Sequence, residues 1–363
     1  MKSSFKSSRA FTLIEVLVAS AVLIMLMGMI AVVTGQISKV WRNTDSKIDS
    51  FRGARLGMSV MNRVLSQATL NSYSDYFSLK NNRFCNTVEP ADEREAYRRR
   101  SELHFISGNA AEVLKGAGAS SISSHAIFFQ APLGYTEKAE EYGGLGHLLN
   151  ACGFYVEYSQ DVEQPDFLKL LEPARLPRYR YRLMMMMQPT EFLKIYGDPK
   201  TLASSPRGWF VDDFQKYSRP IAENVIAMVV LCKRPNPSSG NQKTAFYLPV
   251  SSEGNSYLYD SRTAPGDNAK QAETSNQLPP LVQVTLVSID EKSAQNISEK
   301  SGEEDPKLVP TTLFQSPENY EKDMKDLEDI LKAKPENTAQ NTIPCQYRIY
   351  SFDILIRSSS WNE

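Results

Sequence analysis

One long apolar segment near the N-terminus constrains this chain more than any other feature of its sequence. Residues 16–33 carry no charge, and with residues 11–14 the segment exceeds twenty residues, enough for a helix to span roughly 30 Å of hydrocarbon. A single carboxylate, Glu15, interrupts the segment, although an isolated ionised carboxylate is very unfavourable in hydrocarbon. The sequence therefore predicts a membrane helix that contains one acid in need of a partner.

The rest of the chain has the composition of a water-soluble protein. Its 363 residues contain no second apolar block of similar length, and the mean hydropathy is −0.38. The length suits one large domain or two ordinary ones. The 41 basic and 42 acidic side chains give a formal net charge of −1. That balance gives no electrostatic reason to expect nucleic acid as a partner.

The charges before the apolar segment predict its orientation. Lys2, Lys6 and Arg9 precede it, so the positive-inside rule leaves the N-terminus in the cytoplasm and carries the rest across the inner membrane in a single pass. A cleaved secretory signal would have a shorter apolar core and a small-residue cleavage site after it, which "TGQISKVWRNTDSK" lacks. An uncleaved signal anchor explains the hydrophobicity and the leading charges, but it does not explain Glu15.

The order of residues around Glu15 resembles the class III signal of type IV pilins and pseudopilins. A basic leader, residues 1–10, ends at Ala10 and is followed by "FTLIE" and a continuous apolar helix. The resemblance implies that prepilin peptidase cuts between Ala10 and Phe11 and methylates the new amino group of Phe11. It also implies that Glu15 neutralises the amine of a neighbouring subunit, as an assembly residue. The family usually has Gly before the cut, and this chain has Ala10 there.

Helical spacing continues beyond the apolar segment. No proline occurs before residue 90, and a mostly apolar stripe recurs at three- and four-residue steps. The stripe consists of Ile37, Val40, Trp41, Thr44, Ile48, Phe51, Arg55, Met58, Met61 and Leu65. We therefore expect one long helix over residues 11–70. Its first half, at about residues 12–33, would lie in the membrane, and its second half would pack on an extracytoplasmic globular head over residues 71–363.

Three stretches resemble J-type minor pseudopilins. Residues 49–77 contain the R-x-x-R and L-x-x-A patterns of the segment that follows the membrane helix in that family. The run "LSQATLNSYSDY" within them is also similar to the pilin-like proteins called cassette protein C of verrucomicrobial gene cassettes. "LPPLVQVTLVSIDE" (278–291) and "YRIYSFDILIRSSSW" (347–361) resemble the last strands of J-type heads. The resemblance implies a pseudopilin-type head built on an antiparallel sheet.

The pattern of residues in the head predicts the α+β class. Segments that alternate or cluster β-branched and aromatic residues predict strands at 101–108, 126–134, 152–160, 178–188 and 224–234. In "RYRYRLMMMMQ" (178–188) the alternation predicts a packed face with Tyr179, Tyr181 and Leu183, and a solvated face with Arg178, Arg180 and Arg182.

Two insertions are expected to interrupt this sheet, at about residues 234–277 and 290–342. The polar residues 290–307 are expected to be mobile. Residues 316–337 predict a helix, with Ser316 as its cap and Pro317 at its first position. Its apolar stripe is Tyr320, Met324, Leu327 and Leu331.

No catalytic or metal-binding pattern is present. The histidines His104, His125 and His147 are neither adjacent nor spaced as HxxxH, and the acidic run "GEEDP" (302–306) lacks the EF-hand spacing. The cysteines show no CxxC pair and are Cys85, Cys152, Cys232 and Cys345. They allow one disulfide in an oxidising compartment, and are otherwise buried apolar thiols. We expect no catalytic residue, metal or cofactor.

These observations predict a structural protein that is not an enzyme: a minor pilin or pseudopilin of a type II secretion or type IV pilus-like filament. The implied partners are prepilin peptidase, other pilin or pseudopilin subunits and the lipid of the inner membrane. The large size and the insertions favour a minor subunit, because a major subunit must pack many identical copies. The alternative is a single-pass membrane-anchored periplasmic binding module or enzyme with an uncleaved signal anchor.

Overall fold

A computed structural model describes residues 13–80, 83–85, 95–115, 122–160, 178–196, 206–236, 247–252, 255–263, 274–332 and 345–361. The chain divides into two compact units, residues 1–49 and 50–363. One helix, α1 (Leu13–Leu65), begins in the first unit and ends in the second. All other described elements belong to the second unit, which we call the head.

The head combines short helices with strands. The helices are α2 (Ala110–Val113), α3 (Ala139–Tyr142), α4 (Gly208–Val211), α5 (Glu291–Ser301) and α6 (Tyr320–Lys332), with 3-10 turns at Thr190–Phe192 and Pro317–Asn319. The strands are β1 (Tyr73–Ser78), β2 (Arg83–Phe84), β3 (Ala96–Arg100), β4 (Ile106–Asn109), β5 (Ile122–Pro132), β6 (Leu149–Gln160), β7 (Tyr179–Gln188), β8 (Ser218–Glu223), β9 (Val225–Pro235), β10 (Tyr247–Pro249), β11 (Tyr259–Asp260), β12 (Leu281–Ile289) and β13 (Tyr347–Leu355).

These strands form antiparallel sheets. The largest has six strands in the order β11-β4-β5-β6-β7-β8, and a second has four in the order β10-β9-β12-β13. A third contains β2-β1-β3. The long apolar N-terminal helix and the antiparallel sheets confirm the predicted α+β class.

Both faces of the six-stranded sheet are covered, so side chains on both faces are buried. Alternate residues of β6 enter two separate apolar clusters: Phe154 and Val156 join the four-stranded sheet and α1, whereas Tyr155 joins Trp209 and Phe210 on the opposite face. Successive side chains of a strand point to opposite faces, so a strand with two covered faces is buried along its whole length.

The predicted solvated face of β7 is wrong for this reason. Arg180 and Arg182 are buried, and only Arg178, which precedes the strand, is exposed. Arg180 is accommodated by two carboxylates, since its Nη1 lies 2.6 Å from Oε2 of Glu223 and its Nη2 lies 3.2 Å from Oε1 of Glu291. A buried charge is tolerated when it is paired and hydrogen-bonded in this way.

The last turns of α1 enter the core of the head. Ala54, Met61 and Leu65 are fully buried, whereas Arg55, expected on the same stripe, is exposed. Gly57 explains the close approach, because a Cβ at that position would lie only 3.1 Å from Cδ2 of Leu183 in β7. The stripe was therefore predicted correctly at Met61 and Leu65 and wrongly at Arg55.

The polar residues after β12 fold into a helix where a mobile segment was expected. Asp290 caps α5, its Oδ1 accepting the backbone N–H of Ser293 at 3.0 Å, and Gly302 ends the helix with φ +56°. Ala294 and Ile297 are buried against the core, which supplies the apolar contact that so polar a sequence needs. Tertiary packing and both caps thus overcome the low hydrophobicity of residues 290–302.

The helix predicted near residue 320 is confirmed. A 3-10 turn begins at Pro317 and leads into α6, which buries Met324, Leu327 and Leu331 while Tyr320 is half-buried. Ser316 is the N-cap residue of that turn, as predicted, but its side chain makes no capping hydrogen bond. Proline at the first position already removes one N–H that would need an acceptor.

Candidate functional site

The first part of α1 is a continuous apolar helix exposed along its length. Residues Leu13–Ser38 have a mean hydropathy of 2.8, and none of this stretch is buried against the rest of the chain. At 1.5 Å per residue these 26 residues extend about 39 Å, more than the roughly 30 Å of a bilayer core. The helix is therefore long enough and apolar enough to cross a membrane.

Two hydroxyl side chains of this stretch bond to the backbone of their own helix. Ser20 Oγ donates to the carbonyl oxygen of Leu17 at 2.9 Å, and Thr34 Oγ1 donates to that of Ile30 at 2.8 Å. Hydroxyls that bond back to the preceding turn need no further partner in lipid. Glu15 is thus the one charged side chain among residues 13–38.

Glu15 lies in the first turn of α1, where the helix presents backbone N–H groups without helical acceptors. A carboxylate is favoured at that end because the helix dipole is positive there. Ala10 and Phe11, the residues predicted to flank the cut, lie outside the described residues. Along the sequence Phe11 precedes Glu15 by four positions.

The two glycines of the helix do not interrupt it. α1 continues through Gly28 and Gly35, and a Cβ at either position would meet nothing within 4 Å. Contacts with the described residues give no reason for a missing side chain at either position.

In the head, His104 holds a buried hydrogen-bonded group together. Its Nδ1 accepts from Nε1–H of Trp209 at 3.1 Å, and its Nε2–H donates to Oδ1 of Asp260 at 2.8 Å. Both nitrogens of a neutral imidazole are occupied in this arrangement, which leaves neither for a substrate proton. Sequence reasoning missed Trp209 and Asp260, because they lie more than a hundred positions away from His104.

His125 closes the open edge of β9 together with two serines of a β-bulge in β5. Nδ1 of His125 accepts the N–H of Val230 at 3.0 Å, and the N–H of Met228 donates to Oγ of Ser124 at 2.9 Å. Ser123 Oγ donates to the carbonyl oxygen of Ile226 at 3.0 Å. The bulge places Ser124 at φ +61°, and its side chains replace a neighbouring strand along residues 226–230.

The other residues singled out in the sequence do not assemble into a site. His147 is exposed, and Asp305 of the "GEEDP" run accepts from the hydroxyl of Tyr181 and the N–H of Lys307. Within the ranges that the structure describes, no group of three or more His, Cys, Asp and Glu side chains could hold a metal ion.

The cysteines are core side chains. All four are buried, and burial raises the pKa of the Cys232 thiol to about 12 and that of Cys152 still further. Cys152 and Cys232 are thiols, with Sγ of Cys232 lying 3.3 Å from Oγ of Ser107. A thiol with a raised pKa forms little thiolate and is a poor nucleophile.

The two buried histidines make the stability of the head depend on pH. Burial lowers the pKa of His104, and it lowers the pKa of His125 to about 4. As the pH falls below 6.5, these histidines bind protons in the unfolded chain but stay neutral in the folded head. The contribution of the neutral histidines to the free energy of unfolding is therefore complete above pH 6.5. It declines towards pH 4, by up to about 1.4 kcal/mol per pH unit for each histidine.

We expect denaturant unfolding of the full chain in detergent to show this loss between about pH 6.5 and pH 5. His125→Gln should reduce the slope, whereas His147→Gln, on the surface, should leave it unchanged. Equal stability of the wild type at both pH values would contradict the assignment of neutral, buried imidazoles.

Comparison with protein families gives one result for the N-terminus. The family model described as the prokaryotic N-terminal methylation motif matches residues 5–31, which include Ala10, Phe11 and Glu15. No curated protein and no solved structure matches the chain. The predicted signal is confirmed: residues 5–31 are a prepilin-type methylation motif of the kind found in type IV pilins and pseudopilins.

Proposed function

We propose that this chain, which carries a prokaryotic N-terminal methylation motif, is a minor pilin or pseudopilin subunit of a type II secretion or type IV pilus-like filament. The observation that carries the proposal is the match of that motif to residues 5–31, whose described part, from Leu13 onward, is an exposed apolar helix with Glu15 in its first turn. A helix with this exposure needs lipid or other subunits around it. A pilin-type subunit meets both, since the membrane surrounds its helix before assembly and neighbouring subunits surround it in the filament.

Maturation would begin at the cytoplasmic surface of the membrane. Prepilin peptidase would remove residues 1–10 by cutting between Ala10 and Phe11, and the amino group of Phe11 would be methylated. The cut would create a cation at the end of the apolar segment, four positions before Glu15 in the sequence. The basic residues of the leader would keep this end cytoplasmic, and the head would lie beyond the inner membrane.

Glu15 would then act in assembly. A carboxylate and an ammonium group are each costly in hydrocarbon when alone, but they are tolerated as a hydrogen-bonded pair. Pairing Glu15 of one subunit with the amine of the next therefore favours lateral association at one axial offset. The partners implied are prepilin peptidase, other pilin-type subunits and membrane lipid.

The size of the head supports a minor position in the filament. α5 and α6 add helices to the segment between β12 and β13, and β10 and β11 lie in the long connection between β9 and β12. A subunit repeated along a filament must accommodate such additions in every contact, whereas a subunit present in a few copies need not. The resemblance to J-type pseudopilins agrees with this position and stays a prediction.

Mass spectrometry of the purified protein tests the proposal. We expect the mature chain to begin at Phe11 and to carry one added methyl group on its amino terminus. Ala10→Gly should be processed at least as completely, and Ala10→Leu should accumulate uncut protein because a bulky side chain precedes the cut. A wild-type chain that keeps its leader would overturn the proposal and favour an anchored periplasmic module or enzyme.

A further inference from the structure

One end of the six-stranded sheet carries an exposed aromatic surface in the middle of acidic residues. β5 ends there at Pro132, β6 begins at Leu149, β7 ends at Gln188 and β8 begins at Ser218. Two connections meet at this end, β5–β6 and β7–β8, and the exposed residues of three stretches within them form what we call the end surface: 135–148, 190–196 and 212–217. Phe192 is 42% exposed and Tyr135 is 40% exposed.

Two rings of the end surface already hold a cation. Phe192 and Tyr217 are stacked with their centroids 6.0 Å apart. The ammonium Nζ of Lys216 lies 4.8 Å from the centroid of Tyr217 and 5.5 Å from that of Phe192. It also donates to the hydroxyl of Tyr217 at 3.0 Å. These distances are those of a cation–π contact, so the ring pair has the geometry to bind an ammonium or guanidinium group.

The backbone of the end surface is fixed by hydrogen bonds to β6 and between the two connections. Asn150 accepts the N–H of Tyr135 at 2.9 Å and donates to its carbonyl oxygen at 2.7 Å. Glu191 accepts from the hydroxyl of Thr136 and from the N–H of Lys138. A surface held in this way loses little conformational entropy when a partner binds.

The charges around the rings are complementary to a basic partner. The end surface contains six carboxylates and three lysines: Glu137, Glu140, Glu141, Glu191, Asp212 and Asp213 against Lys138, Lys194 and Lys216. Lys138 pairs with Glu141, and Lys194 pairs with Asp213. The ammonium group of Lys216 lies against the two rings. Glu137 and Glu140 make no ion pair within the described part of the head. The excess of acid favours an incoming cation.

We propose that the end surface docks an arginine- or lysine-bearing segment of a neighbouring pilin-type subunit, with a cationic side chain of that segment replacing Lys216 over Phe192 and Tyr217. The identity of the partner rests on the proposed function, whereas the chemistry of the surface does not. In the free protein Lys216 fills the position of the partner's cationic side chain. When it is displaced, Lys216 can form ion pairs with the surrounding carboxylates.

A labelled peptide tests the surface without requiring a filament. The probe is a capped peptide of alternating Gly and Arg, compared with one of alternating Gly and Glu, and binding to the full chain in detergent is followed by fluorescence anisotropy. We expect the arginine peptide to bind and the glutamate peptide not to bind. Phe192→Ala should weaken binding about three- to fivefold, the range of a cation–π contact at an exposed site. Lys216→Met should strengthen it by a similar factor, because the rings are then vacant.

Tyr97→Ala is the matched control, since Tyr97 is 62% exposed on β3, a strand of another sheet, and its loss should leave binding unchanged. Binding that Phe192→Ala and Lys216→Met do not alter would be non-specific attraction to acidic residues and would overturn the proposal, as would no binding at low salt. Tryptophan fluorescence, to which the buried Trp209 contributes, verifies that each variant is folded. Because the leader is irrelevant to this measurement, an unprocessed N-terminus would remove the proposed function and leave the docking chemistry standing.

Discussion

Glu15→Ala is expected to leave the protein in the membrane and to lower its recovery in filaments at least about tenfold. The apolar helix keeps its length and gains hydropathy, so insertion does not suffer. In the assembly that we propose, however, the amine of a neighbouring subunit would lose its carboxylate. Removing one partner of a buried ion pair costs roughly 3–5 kcal/mol, because the remaining charge stays desolvated.

The measurement is the ratio of subunit in sheared filaments to subunit in the membrane fraction, determined by quantitative immunoblotting. Ser20→Ala is the matched control, since the Ser20 hydroxyl bonds only to the carbonyl oxygen of Leu17 in its own helix. Glu15→Asp keeps the charge on a shorter side chain and should give an intermediate ratio. Unchanged incorporation of Glu15→Ala would remove the assembly role that we propose for this acid.

Gly153→Ala is expected to destabilise the head by about 3 kcal/mol, near the upper end of the usual cost of overpacking. Gly153 lies in β6 between Phe128 of β5 and Met186 of β7. A Cβ there would overlap Cδ1 and Cε1 of Phe128 and would lie 3.0 Å from the carbonyl oxygen of Ile127. The Phe128 ring cannot move away easily, because it is fully buried and stacks on Phe210 with centroids 4.2 Å apart.

Thermal unfolding of the full chain in detergent, followed by tryptophan fluorescence, measures this cost. A loss of this size lowers the unfolding midpoint by roughly 5–10 °C in a domain as large as the head. Gly146→Ala provides the comparison, since a Cβ at that exposed position meets nothing within 4 Å. Equal midpoints for the two variants would mean that the ring of Phe128 finds another position at little cost.

The N-terminal part of the molecule was the easiest to predict, because its signals are local. The apolar run, the single acid and the leader charges lie within about three dozen residues, and α1 follows from them directly. The core strands β9 and β12 were equally evident, since each is a run of apolar and β-branched residues that a buried strand requires.

What the sequence did not predict depends on residues far apart in the chain. The burial of Arg180 requires Glu291 from α5, more than a hundred positions later, and no local alternation can reveal such a pair. The partners of His104 and His125 were missed for the same reason. α5 is a different case, because Asp290 and Gly302 are ordinary start and stop signals that were outweighed by the polar residues between them.

The exposure of residues 13–38 has a consequence for how copies of this protein meet. In the function that we propose, a copy outside the assembly would stay dissolved in lipid, so the supply of subunits would be a two-dimensional reservoir. Confinement to a sheet of lipid raises the effective concentration of one copy around another well above that of the same number of molecules in free solution. The growth rate of an assembly would then depend on the number of subunits per unit area of membrane.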